Sequence, residues 1–287
     1  MPANSKVIDL MLGIPGADNS AWYDYMKPLL LDRQSRELFS MPAQYMFKDV
    51  PQAGERDDYI AYTVAQMDKH NIERGMLQVD DHLPVSIEAL ERFPHRFIAS
   101  YEANANGAMD EVRKIRRLKQ EFDIKAVTAF PAGLCPQVPV NDKKWYPIFA
   151  ALIDLDIPFC PCMGVPGPRL PMDAQKVELL DEICWFFPEL RIVTRHGCEP
   201  WTDLACKLML KYPNLHYMTS AFAPRYYPAD IIEFANTRGS EQILYAGYFP
   251  MGLSLERIFT EMPHVPLRDE VWPKFLRENA RRVFKLD

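Results

Sequence analysis

A short apolar run rich in β-branched residues, followed by a longer amphipathic stretch, recurs along the whole chain, and few folds accommodate that rhythm. The runs are Val7–Leu12, Gly75–Val79, Arg96–Tyr101, Ile124–Ala129, Pro158–Cys162, Arg191–Arg195, Leu215–Thr219 and Gln242–Ala246. Helical patterns fall between them at Asp110–Phe122, Asp142–Leu155, Ala174–Phe187, Pro200–Lys211 and Pro228–Asn236. Strand–helix alternation with short connections implies right-handed crossovers and a parallel sheet buried on both faces. Repeats of this kind filling 287 residues fit a closed α/β (β/α)8 TIM barrel, a single domain over residues 1–287, better than an open doubly wound sheet. An open sheet of the nucleotide-binding type would carry a Gly-rich turn after its first strand. Gly13-Ile-Pro-Gly16 is no such turn, and the 12 Gly of the chain supply none elsewhere.

Two segments depart from the rhythm. Residues 14–56 interrupt the first strand–helix unit and hold Trp22, Tyr23, Tyr25, Phe39, Tyr45 and Phe47 with Met26, Met41 and Met46. A connection of that length inside a compact domain is usually functional or folded in its own right. It leaves from the C-terminal end of the first strand, the face where barrel enzymes keep their sites, so it reads as a lid. A helical hairpin packed on the rim or on a second subunit is the alternative. The other departure is the tail from Arg268 to Asp287, where Val271, Phe275, Leu276, Val283 and Phe284 form a helical stripe expected to close the barrel rim.

Composition narrows the function classes. With 48% hydrophobic residues the chain can bury an ample core, and 33 Lys+Arg against 39 Asp+Glu leave a net charge of −6. A protein that binds nucleic acid by neutralising phosphates should be basic, so that partner is not expected. There is no apolar run of about 18 residues and no signal-peptide core in the amino-terminal stretch, which reads as a cytoplasmic protein with no membrane partner. The six Cys sit mostly inside apolar runs and read as reduced thiols.

Barrel chemistry comes from residues at or just past the C-terminal strand ends. Those positions hold Asp9, Met11 and Gly13, then Asp80, Asp81 and His82, then Glu102 and Asn104, and Thr128 with Phe130. Next come Cys160, Cys162 and Met163, then Arg195, His196, Gly197 and Cys198, then Ser220 with Arg225, and finally Tyr248. His196 is the leading candidate: an imidazole titrates near neutrality, and the following Gly lets the backbone turn. His82 follows two carboxylates that could orient it, although Asp-Asp-His-Leu-Pro is equally a turn and helix cap. Cys162 could be a nucleophile if an imidazolium lowered its pKa, or simply a buried barrel thiol. No His-x-His, His-Glu-x-x-His, Cys-x-x-Cys or Gly-x-Ser-x-Gly motif is present.

Several segments taken in order resemble the amidohydrolase-related proteins, in the branch typified by aminocarboxymuconate-semialdehyde decarboxylase and related aromatic-acid decarboxylases and hydrolases. They are Val7–Asp9, Phe93–Phe97, Ile157–Gly164, Phe187–Gly197, Pro200-Trp201, Tyr212–Leu215, Ile243–Pro250 and Glu278–Phe284. The resemblance implies a metal-dependent (β/α)8 fold and, from the habits of the family, a homodimer. It also implies a ligand set that this chain does not keep. The Asp-x-His-x-His of the first strand is here Asp9-Leu-Met11-Leu-Gly13, the fifth-strand His aligns with Cys162, and the eighth-strand Ser-Asp aligns with Gly247-Tyr248. Only the sixth-strand His, His196, survives. A thioether, a hydrogen, a thiol and a phenol cannot replace the ligands of a divalent ion, so no metal is expected at the family position and no other cofactor is implied.

These features lead to a hydrolase or decarboxylase-like carbon–carbon lyase that works without the family's metal on an apolar, cyclic or aromatic carboxylic or acyl substrate. His196 serves as general acid/base, with Tyr248, Cys162, Asp9 and His82 as further catalytic candidates. Met11, Glu102, Ser220, Arg225, Tyr45 and Phe47 are expected to contact the small-molecule substrate. Two alternatives stay open. One is a non-catalytic binding or scaffold barrel. The other is a metalloenzyme whose site is rebuilt from His82, Asp80 or Asp81, Cys162 and His196.

Overall fold

The computed structural model describes residues 1–2 and 5–287; Ala3 and Asn4, part of the stretch read for an export signal, lie outside the described residues. Eight parallel strands run in sequence order around one sheet: β1 (Val7–Asp9), β2 (Ile72–Gln78), β3 (Phe97–Glu102), β4 (Ala126–Ala129), β5 (Phe159–Pro161), β6 (Ile192–Thr194), β7 (Leu215–Met218) and β8 (Ile243–Leu244). Each lies within the apolar run expected for it, apart from the earlier start of β2 and a one-residue overhang of β3. The outer layer comprises α1 (Tyr59–Lys69), α2 (Pro84–Arg92), α3 (Ala108–Phe122), α4 (Tyr146–Asp154), α5 (Leu180–Phe186), α6 (Thr202–Lys211), α7 (Ala229–Asn236) and α8 (Leu255–Glu261). The longest, α3, shows how they seat: Val112, Ile115 and Leu118 fall on one face and are buried, while its many Arg and Lys face out. None of the described helices is long and apolar enough to cross a membrane.

Period-2 alternation fills the cylinder. Ile8, Leu10, Met76, Ile98, Ala126, Cys160, Val193, Met218 and Leu244 form one apolar cluster. The chain's last helix, α9 (Asn279–Phe284), adds Ala280, Val283 and Phe284 to that cluster. Lys285 reaches Asp156, in the turn that precedes β5, which seats the tail at the N-terminal rim. The Asn279 amide donates to the carbonyls of Ser240 and Ile243, both at 2.8 Å, and so ties the plug to β8. The stripe read in the tail is fully buried.

Closure between β8 and β1 is made differently from the other seams. Both strands are shorter than their apolar runs, and past their ends they meet at a single parallel bridge, Leu12 with Phe249, where the Gly13 amide donates to the Phe249 carbonyl at 2.8 Å. The reason is Asp9. Its Oδ1 accepts from the Met11 amide at 3.0 Å and the Gly247 amide at 2.8 Å, and Oδ2 accepts from the Tyr245 hydroxyl at 3.3 Å. A side chain thus takes donors that a ladder would otherwise use. A Cβ at 247 would stand 2.5 Å from Asp9 Oδ2, so the seam needs glycine there.

The segment at 14–56 winds through a 3-10 helix (Ser20–Leu29), a π turn (Gln34–Leu38) and a 3-10 turn (Gln44–Met46). Met26 and Leu30 pack on Phe130, Ala132, Cys162 and Leu170, with Tyr23 and Leu29 alongside. These are residues just past the C-terminal ends of β4 and β5, so the segment lies on that rim. Tyr45 anchors it there: its hydroxyl donates to the Gly167 carbonyl at 2.6 Å and Arg169 stacks over its ring.

Burial holds the Asp9 carboxyl up at about 6 from an ordinary 3.8, although three hydrogen bonds oppose the shift. The native state therefore keeps a proton that the unfolded chain has already lost, and this group's contribution to stability falls as pH rises through that window. Asp9→Ala strands two buried amide donors, at a cost of about 1–3 kcal/mol each. Asp9→Asn keeps an acceptor for them and should stay near wild type while losing this pH dependence. Urea unfolding at about pH 5 and about pH 8 checks both, and an Asn variant as unstable as the Ala variant would refute the account.

Candidate active site

Alternation continues past the apolar plug and puts a polar layer on top of it. Two residues beyond Ile98 and Val193 along their strands come Ser100 and Arg195, and beyond Met218 comes Ser220. The turn after β6 is backbone-strained: His196, Gly197 and Cys198 have φ of 62°, 92° and 58°. Gly197 is required there, because a Cβ would meet the Phe222 ring at 2.4 Å. The strain turns the imidazole of His196 toward the mouth. The His196 amide donates to Ser220 Oγ at 3.0 Å, and the ring's Nδ1 lies 3.1 Å from the same oxygen. Which of Nδ1 and Ser220 Oγ donates is set by the imidazole tautomer, and Nε2 has no hydrogen-bond partner among the described residues. Tyr248 stands edge-to-face against it at 5.6 Å between centroids, and Phe47 packs on Tyr248 at 5.4 Å.

Arg195 crosses this layer. It is only 7% exposed, and its Nη2 reaches Met11 Sδ at 3.5 Å while Nη1 lies 3.5 Å from Glu102 Oε2. A side chain from β6 that meets residues of β1 and β3 runs over the barrel axis. Nη1 is shut off from water and has no hydrogen-bond partner. Burial works against its charge, but the Glu102 carboxylate 3.5 Å away opposes that and the guanidinium stays cationic. Its neighbours respond. His196 is pushed down to about 3, first by burial and then by the Arg195 charge, so the imidazole is neutral. Burial lifts Cys160, Cys162 and Tyr248 to about 12 each.

The structure thus brings together His196, Tyr248, Ser220, Met11, Glu102, Cys162 and Phe47. Four candidates need correction. Asp9 is locked in the barrel seam, with both oxygens accepting hydrogen bonds from neighbours. His82 is 80% exposed and leans on Asp80, which pairs with Lys114 of α3, while Asp81 pairs with Arg117. Arg225 is 58% exposed and pairs with Glu261 of α8, which also holds Arg257. Tyr45 is spent on anchoring its own segment. Cys162 is in place, but as a thiol rather than the activated thiolate a nucleophile requires.

Arg195 and Tyr25 are the residues that sequence reasoning passed over. Period 2 from the inward Val193 was the signal for Arg195. Nothing in the spacing marked Tyr25, which sits on a 3-10 helix of the inserted segment. Half its surface is open, at 49%, yet its hydroxyl lies within electrostatic reach of Glu102, Cys162, Arg195 and Tyr248, and burial drives its pKa far up.

A family model described as Amidohydrolase matches residues 31–286, nearly the whole chain. The chain belongs to the amidohydrolase family. No curated protein matches it in sequence. Among solved structures, an uncharacterised TIM-barrel protein from Bordetella bronchiseptica superposes with a TM-score of 0.73 at 19% identity, covering 98% of this chain and 99% of that one. A 2,6-dihydroxybenzoate decarboxylase from Rhizobium gives 0.68 at 16% identity, over 99% of both chains. A 5-carboxyvanillate decarboxylase from Novosphingobium aromaticivorans, complexed with manganese and a nitrobenzoic acid, gives 0.67 at 16% identity, over 98% of this chain and 96% of that one.

This amidohydrolase does not offer a divalent ion the usual reception. At the positions aligned with the family's ligands stand the Met11 thioether, Gly13, the Cys162 thiol and the Tyr248 phenol, and a guanidinium already lies against Met11. A second cation there would face repulsion and neutral donors. The rebuilt site fares no better, since His82 and its two Asp point away to α3. Among the described residues no three His, Cys, Asp or Glu side chains converge as a metal site.

Protonation of His196 is the measurable consequence. Its ring takes a proton only near pH 3, whereas the unfolded chain takes it near 6.5, so acidification between those values costs stability. In proton NMR, the imidazole signal lost in His196→Gln should hold its neutral position down to about pH 5. A midpoint between 6 and 7 would contradict the buried, Arg-flanked placement.

Proposed function

We propose that this amidohydrolase is a hydrolase or decarboxylase-like carbon–carbon lyase that works without the family's metal, with His196 moving the proton. Its substrate is an apolar, cyclic or aromatic carboxylic or acyl compound. The observation that carries this reading is the neutral imidazole at the barrel mouth, its Nδ1 on Ser220 and its ring against Tyr248. In the tautomer that carries its proton on Nδ1, Nε2 takes a proton from a reacting atom and returns it; in the other, Nε2–H donates first. Tyr248 keeps its hydroxyl proton across the physiological range and can donate to a developing oxyanion.

Residues 14–56 act as the lid in this reading. Met26 and Leu30 lie over the ends of β4 and β5, and Phe47 and Tyr25 supply aromatic surface next to the polar layer. A flat, ring-bearing substrate suits such walls. The aromatic-acid decarboxylases that share the fold favour the same substrate class.

One observation favours a second reading. An imidazole pushed down to about 3 is a weak base, which a barrel that only binds its ligand could keep. Turnover separates the two. A panel of hydroxybenzoates, alicyclic acids and their esters should yield one substrate whose loss is seen by absorbance or carbon dioxide release. His196→Gln should then lower kcat by about 10²–10⁴-fold while leaving binding intact. Binding without turnover across the panel would establish the non-catalytic reading, and full activity in His196→Gln would remove the imidazole from the mechanism.

A further inference from the structure

We propose that Arg195 is the substrate's carboxylate anchor, a fixed guanidinium at the mouth of the barrel. This deepens the small-molecule reading above and rests on it. Three observations converge. The guanidinium lies between Met11, just past β1, and Glu102 of β3, within electrostatic reach of Cys162, so it stands beside side chains that the sequence resemblance pairs with metal ligands. It is more than nine-tenths buried, and its Nη1 is shielded from solvent with no hydrogen-bond partner among the described residues. Its one close anion, Glu102, stays 3.5 Å away and balances charge without filling that donor.

An unsatisfied charged donor in a dry site is costly, and the cost is relieved by a ligand that accepts from it. A carboxylate matches a guanidinium because two oxygens meet two parallel N–H groups, a geometry an ammonium lacks. The groups facing the pair are Glu102, the Cys160 and Cys162 thiols, the Tyr25 and Tyr248 phenols and His196. Of these only Glu102 brings a negative charge at neutral pH. The Tyr25 hydroxyl, carried by the inserted segment, stands within electrostatic reach of the same guanidinium.

Benzoate, with benzamide as its uncharged counterpart, tests the idea by calorimetric titration of the full-length protein near neutral pH. Wild type should bind benzoate at least about tenfold tighter than benzamide. Arg195→Gln should erase that preference and Arg195→Lys should restore part of it. The ratio of benzoate to benzamide affinity is read on wild type and stands even where the Gln variant does not fold. Equal binding of the two probes to wild type, or a benzoate preference surviving in folded Arg195→Gln, overturns the anchor and leaves the small-molecule reading standing. Failure of benzoate to bind overturns the anchor, and failure of every acid in the panel above removes the small-molecule reading with it.

Discussion

A single buried guanidinium organises the mouth of this barrel. Arg195 rises from the end of β6 over an apolar plug, meets one thioether and one carboxylate at 3.5 Å, and leaves a donor free. In so dry a place a fixed charge acts over several ångströms. It helps hold His196 neutral, and it pulls against the burial that lifts the Cys160 and Cys162 thiols. The layer therefore has one strong cation, one nearby carboxylate and otherwise uncharged groups. Proton transfer and anion binding are possible there, and thiolate chemistry is not favoured.

The scaffold beneath tolerates that charge because it is closed tightly elsewhere. The tail helix fills the N-terminal end with Val283 and Phe284, and Asp9 joins the first and last strands through main-chain donors. Asp9 belongs to the segment that in the family opens the metal-binding motif. Here the two imidazole positions after it are Met11 and Gly13, and the carboxylate is devoted to the seam, with Gly247 making room for it. Residues of one ancestral motif thus serve two different ends: Asp9 structural, Met11 a soft contact for Arg195.

The barrel was legible because its signal is spread over many residues. Period-2 runs and helical stripes identify strands whatever any single side chain does, and the same averaging placed Val283 and Phe284 correctly in the tail. His196, Ser220, Glu102 and Tyr248 were legible for a related reason, since strand ends in a barrel all open on one rim. His82 and Arg225 were not. Both follow strand ends too, but each lies in a loop, where neighbours decide direction: His82 leans to Asp80 and Arg225 to Glu261. Tyr45 and Tyr25 show the same limit inside the insertion, where 3-10 and π turns erase any regular spacing. One anchors the segment and the other reaches the site.

A guanidinium and a divalent ion would select differently at such a mouth. A metal ion offers open coordination positions and acidifies bound water. A guanidinium offers neither, and instead presents a single delocalised charge with donors in one plane. It rewards a flat anion with two equivalent oxygens and does little to sharpen a water nucleophile. Such a site favours reactions whose difficulty lies in handling charge already on the substrate, as when a carboxylate departs or an enolate forms.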